Sequence, residues 1–204
     1  MADYTQSPSP AWPGQPPAKA TAAAGRRLLA DTAVIVAAIA ASVLLGLLAG
    51  LLWKAVAPRA VVVVVAPGSY GLLNPESSAF IVADAWFSVL CLAGGVICGL
   101  AGWLAVVRRT GPVGLAALLG GAVLAAFAAR WAGQRPGAAG FDHQVLTAKA
   151  GTLLHVPLTL GAQGALAFWA LAVAAVAGGI ELGAALRDRR ARRNRAETRA
   201  AEDA

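Results

Sequence analysis

Four stretches of this chain are too long and too apolar to sit comfortably in water. Ala33 to Leu52 is a run of twenty residues without a charge. As a helix it spans roughly 30 Å, the thickness of bilayer hydrocarbon. Ile81–Val107 is interrupted only by Asp84, Val113–Ala132 carries Arg130 near its end, and Ala165–Leu186 carries Glu181 near its end. Charged residues make up 13% of the chain, against about 25% in ordinary soluble domains. The expected fold is an all-α membrane protein. It is a four-transmembrane-helix bundle with helices at about 28–53, 81–107, 113–132 and 165–186. A cleaved signal peptide is the competing reading of the first run, and Ala55-Val56-Ala57 has the look of a cleavage site. Signal-peptide apolar regions are only about 7–15 residues long, so a retained helix is expected.

Orientation follows from Lys and Arg, which concentrate in short cytoplasmic segments. With the N-terminus inside, twelve of the seventeen basic residues fall on the inner side. They include Arg26, Arg27, Arg108, Arg109 and the cluster from Arg187 onward. Lys54, Arg59, Arg130, Arg135 and Lys149 remain outside. Both termini are therefore expected in the cytoplasm, in the plasma membrane, with Trp53 and Trp131 at the outer interface. The connection Arg108–Pro112 is short enough to join only antiparallel neighbours, and Pro112 suits the first turn of a helix. Residues 1–25, rich in Pro, Ser, Gln and Gly, read as a disordered tail. Residues 188–204 read as a basic cytoplasmic tail.

Two outer segments, 54–80 and 133–164, link the helices. Val61–Val65 is a run of valines followed by Pro67-Gly68 and Tyr70–Leu73. Valine favours strands and Pro-Gly marks a turn, so a small extracytoplasmic β element is expected. A lone hairpin is marginal in water and a third strand steadies it. Gln144–Ala148 or Thr152–Val156 could supply that strand, although Val61–Val65 could instead prolong the first helix. The segment from Gln134 to Gly140 reads as turns.

Helix packing in lipid depends on close approach through small residues. Gly46 and Gly50 form one such pair, and Gly95 and Gly99 a second. Ala117, Gly121, Ala125 and Ala129 recur at the same spacing, as do Ala175, Gly179 and Gly183. These steps suit a tight bundle, and an oligomer face is possible on the same evidence. Cys91 and Cys98 lie on one helix, roughly 10 Å apart along its axis, too far to bridge each other.

Ionisable residues inside spans are the first functional suspects. Asp84 and Arg130 fall at similar depth and form a candidate intramembrane ion pair. Glu181 is a candidate inner-interface acid with Arg108 and Arg109 as neighbours. Asp31 is placed to pair with Arg27 one turn earlier. Arg187, Arg189, Arg190, Arg192, Arg193 and Arg195 are candidate ligands for anionic lipid headgroups or a topological anchor. No aromatic platform accompanies them, which speaks against nucleic acid. His143, His155, Asp142 and Glu76 lack any metal-ligand spacing, so no metal is expected. Gly-x-Ser-x-Gly and the phosphate-binding GxxxxGK[ST] pattern are absent, and no cofactor is expected.

Several short motifs carry a resemblance. Ala57-Pro58-Arg59, the valine run, Tyr70–Glu76, Ala83–Phe87, the Arg108–Pro112 loop, and Gly120-Gly121 with Ala129–Gly133 together resemble an actinobacterial family. It is a family of four-span membrane proteins carrying a domain-of-unknown-function label. The resemblance covers about residues 30–186 and implies no reaction, cofactor or catalytic residue. The central thirds of the four helices are almost wholly Ala, Leu, Val and Gly. The expected role is therefore a non-enzymatic accessory or scaffold subunit, with the β element facing a membrane or cell-envelope partner. A permease-like component, or a small proton-coupled carrier acting as an oligomer, is the alternative.

Overall fold

The computed structural model describes residues 18–74 and 78–202, leaving aside the side chains of 18–24, 136–139, 196 and 199–202. Residues 1–17 of the Pro-rich tail and Glu76 lie outside the described residues. Helix α1 spans Ala18–Val56. Strands β1 (Val61–Ala66) and β2 (Ser69–Leu72) follow. Helix α2 (Ala79–Gly102) runs through a π-helical turn, Trp103–Val107, into the short helix α3 (Arg108–Thr110). Helix α4 covers Pro112–Thr147, strand β3 Leu153–His155, and helix α5 Ala167–Glu202 after a 3-10 turn at Gln163–Leu166. Four helical stretches are long and apolar enough to cross a membrane. Their outward faces carry Val36, Leu48, Ile81, Leu104 and Leu171, all exposed, an apolar exterior of the kind a membrane span presents.

The small-residue steps set the packing. α1 lies on α4, where a Cβ on Gly46 or Gly50 would strike the backbone of Ala125 or Ala129. α2 lies on α5, where a Cβ on Gly95 would stand 2.6 Å from the Trp169 carbonyl oxygen. The step Ala175, Gly179 and Gly183 on α5 behaves differently, since a Cβ on Gly179 or Gly183 would meet nothing within 4 Å. α2 and α4 approach each other near their junction, where Leu118 packs over Gly102. The junction itself is tighter than expected. Helix continues through Arg108–Thr110, and the chain reverses at Gly111, whose φ of 63° suits glycine. Pro112 opens α4 as expected.

The end of the bundle opposite Gly111 carries a three-stranded antiparallel sheet in the order β2-β1-β3. We call this the cap end and the other the tail end. Pro67 and Gly68 turn the hairpin, with Gly68 at φ 80°, the left-handed value that the third position of a type II turn needs. Val62 pairs with Leu72 on one side and Leu154 on the other. The expected pairing of the two connecting segments is thus realised, and the valine run is strand.

Three boundaries need correction. α1 begins at Ala18, so residues 18–25 are helix; the alanines of 20–24 are strong helix formers. α4 does not stop at Ala132 but runs to Thr147, through the segment read as turns. Tertiary burial explains it. Phe141 and Val145, one turn apart, pack beneath Val62 with Leu154 and Val156, and that apolar contact outweighs the Pro-Gly signal. The hairpin also caps this helix, because Gly68 N–H donates to the Val145 carbonyl at 3.2 Å. The Arg-rich tail is likewise helical, α5 continuing to Glu202.

Candidate functional site

Asp84 and Arg130 do not form the expected ion pair. Asp84 Oδ1 accepts the Gly161 N–H at 3.2 Å and Oδ2 the Ala162 N–H at 2.8 Å. Arg130 Nε donates to Gln134 Oε1 one turn along its own helix at 3.1 Å. The reason lies in Trp53. Its indole is wholly buried, in an edge-to-face contact with Phe87 of α2 and packed against Gly133 of α4. Its Nε1 donates to the Ala83 carbonyl at 2.7 Å. Trp53 therefore fills the space between α2 and α4 at the cap end and keeps the two charges apart. Of the two indoles expected at an interface, Trp53 is thus buried, while Trp131 is exposed with the Arg135 guanidinium 4.9 Å from its ring centroid.

At the tail end Glu181 is reached by an indole instead of an arginine. Trp103 Nε1, in the π-helical turn, donates to Glu181 Oε1 at 3.2 Å, and Arg108 stacks on the same ring at 5.6 Å. The Arg27–Asp31 pair does not form. Among the described residues the one ion pair is Arg193–Glu197, at 2.9 Å and well exposed, which contributes little to stability. Arg187, Arg189, Arg190, Arg192, Arg193 and Arg195 are all exposed. At about 100° per residue they point around the whole axis, forming a collar with no single basic face.

Among the described residues no three His, Cys, Asp or Glu side chains come together as a metal would require. His143 sits exposed on α4 and His155 in β3. Cys91 and Cys98 are both free and buried. The buried interior is apolar. Ser42 is the one buried polar residue among those described, and its Oγ donates to the Ala38 carbonyl at 2.9 Å.

The cap end holds what sequence reasoning missed. A cavity of about 400 Å³ opens between the end of α1, the extension of α4 and strand β3. Lys54, Arg59, Gln134, Gln144 and His155 line it, and no carboxylate does among the described residues. Arg59 is anchored by donating from Nη2 to the Lys54 carbonyl at 3.2 Å, which also satisfies an end carbonyl of α1. β3 contributes backbone. Alternate residues of an antiparallel strand bond to a given neighbour. Val64 N–H reaches Thr152 O and Val156 N–H reaches Ala60 O, so residues 152, 154 and 156 face β1. Leu153 and His155 then turn their N–H and C=O groups to the open edge, where both residues line the cavity. The cationic residues were legible as isolated outer charges; their convergence needed the sheet. Comparisons with family models, with curated proteins and with solved structures find no match for the chain.

Proposed function

We propose that this chain is a multi-pass plasma-membrane protein with both termini in the cytoplasm, acting as a non-enzymatic accessory or scaffold subunit. Its cap is then extracytoplasmic and meets a membrane or cell-envelope partner. The excess of Lys and Arg at the tail end supports the orientation, and the collar on α5 there suits anionic headgroups of the inner leaflet. The apolar interior supports a role other than carrier, since a transport path needs polar groups at mid-depth. The resemblance to the actinobacterial four-span family agrees with this reading through its motifs alone.

The observation that carries the proposal is the β2 edge. Ser69–Leu72 is an edge strand, and no charged residue occurs from Ala60 to Leu73. Proteins commonly guard such edges with lysine, proline or a covering element. Here Tyr70, Leu72 and Leu73 are exposed, and Tyr70 and Leu72 turn their backbone groups away from β1. An uncharged edge with no strand paired on it among the described residues is suited to pairing with a strand from another polypeptide.

The test is crosslinking in intact cells from cysteines introduced at Tyr70 and Leu72. Capture of a second, distinct polypeptide is expected, and capture of nothing beyond the chain itself counts against the scaffold role. Orientation has its own check. A cysteine at Thr110 should resist a membrane-impermeant maleimide applied from outside, and labelling there reverses the topology.

A further inference from the structure

We propose that the cap cavity binds a phosphate-bearing anion. The proposal rests on the walls of the cavity and stands apart from the partner reading. Donors reach it from two helices, a loop and a strand edge. Lys54 comes from α1, Arg59 from the loop that follows it, and Gln144 from α4. The outward N–H groups of Leu153 and His155 come from the edge of β3, where the carbonyls of the same residues alternate with them. No described carboxylate competes with a bound anion.

The geometry favours a tetrahedral oxyanion. A planar carboxylate is matched by one guanidinium fork, and the Arg59 guanidinium already spends a donor on the Lys54 carbonyl. Phosphate presents acceptors in several directions, as donors converging from separate walls demand. Lysine contributes there as a compact point charge. The volume of about 400 Å³ lies within the usual range for small-ligand sites, roughly 300–1,000 Å³. It exceeds what a bare phosphate needs and leaves room for an esterified group such as glycerol. The cavity also lies near the level of Trp131 and Arg135, an aromatic and basic pair typical of the headgroup zone. Two sources offer this chemistry in the proposed orientation: the headgroup of an anionic phospholipid in the outer leaflet, and a soluble phosphate ester.

The experiment uses the full chain in detergent, titrated with sn-glycerol 3-phosphate and, separately, with short-chain phosphatidylglycerol, followed by ³¹P line broadening. Lys54→Gln/Arg59→Gln should weaken binding of at least one probe by about tenfold, the scale of one lost charge-assisted hydrogen bond. Gln144→Glu, which sets a carboxylate in the wall, should do the same. Arg192→Gln/Arg193→Gln, at the other end of the molecule, should leave glycerol phosphate binding unchanged and removes the collar's contribution from the lipid titration. Binding of the lipid alone identifies the membrane as the source; binding of glycerol phosphate identifies a soluble ester. The proposal is overturned if wild type broadens neither probe, if glutarate binds as tightly as glycerol phosphate, or if the folded wall variants bind like wild type. Circular dichroism and protection of Cys91 from maleimide establish folding, and Gln144→Glu decides the outcome if the double variant does not fold.

Discussion

Asp84 ties α2 to the connection between β3 and α5, because its two oxygens take the N–H groups of Gly161 and Ala162. Those amides precede the 3-10 turn at Gln163–Leu166 and have no helical partner of their own. Asp84→Ala should therefore destabilise the protein by about 1–3 kcal/mol, toward the lower value because Asp84 is half-exposed. Asp84→Asn keeps one acceptor oxygen and should lose less. Thermal unfolding in detergent reads both, and two variants that melt like wild type would show that these bonds contribute nothing. The same residue marks a boundary of sequence reasoning. Helical rise placed Asp84 and Arg130 at equal depth, but rise says nothing of azimuth or of what stands between. The wedge is Trp53, whose role was invisible because an indole at a helix end also fits a lipid interface.

Two glycine-rich faces that read alike in the sequence differ in the bundle. Gly46 and Gly50 admit the backbone of α4, whereas Gly179 and Gly183 face open space. Gly46→Leu should cost about 2 kcal/mol or more through overpacking, while Gly179→Leu should shift the unfolding free energy by less than about 0.5 kcal/mol. Reversible unfolding in mixed micelles separates them, and equal losses at both positions would contradict the packing described here. Spacing by four identifies a face that can approach a neighbour closely; which neighbour occupies it is a property of the whole assembly.

On the scale of the molecule, the cap depends on one apolar contact between distant segments. Val62, Phe141 and Val145 form a cluster separate from the main core. Phe141→Ala should remove about 3 kcal/mol of local stability or slightly more. The hairpin amides should then exchange hydrogen faster while those of the α1–α4 pair stay protected, and unchanged exchange in Val61–Leu72 would refute the docking. Helix number and the strand were legible because they follow from apolar length, from β-branching and from Pro67-Gly68. The continuation of α4 was not, since Pro136-Gly137 is a local stop signal and Phe141 overrides it only through a partner about eighty residues earlier in the chain. The cavity was hidden for the same reason, as Lys54 and β3 meet only once the sheet has formed.

α4 is unbroken from Pro112 to Thr147. At 1.5 Å per residue it is a rod of about 54 Å, well beyond the roughly 30 Å of hydrocarbon. The hairpin holds one end through Gly68 and Val145, and the chain reverses at Gly111 at the other. The turns in excess of hydrocarbon length include those that carry Phe141 and Val145, so the helix that packs against α1 also supplies the platform on which the sheet rests.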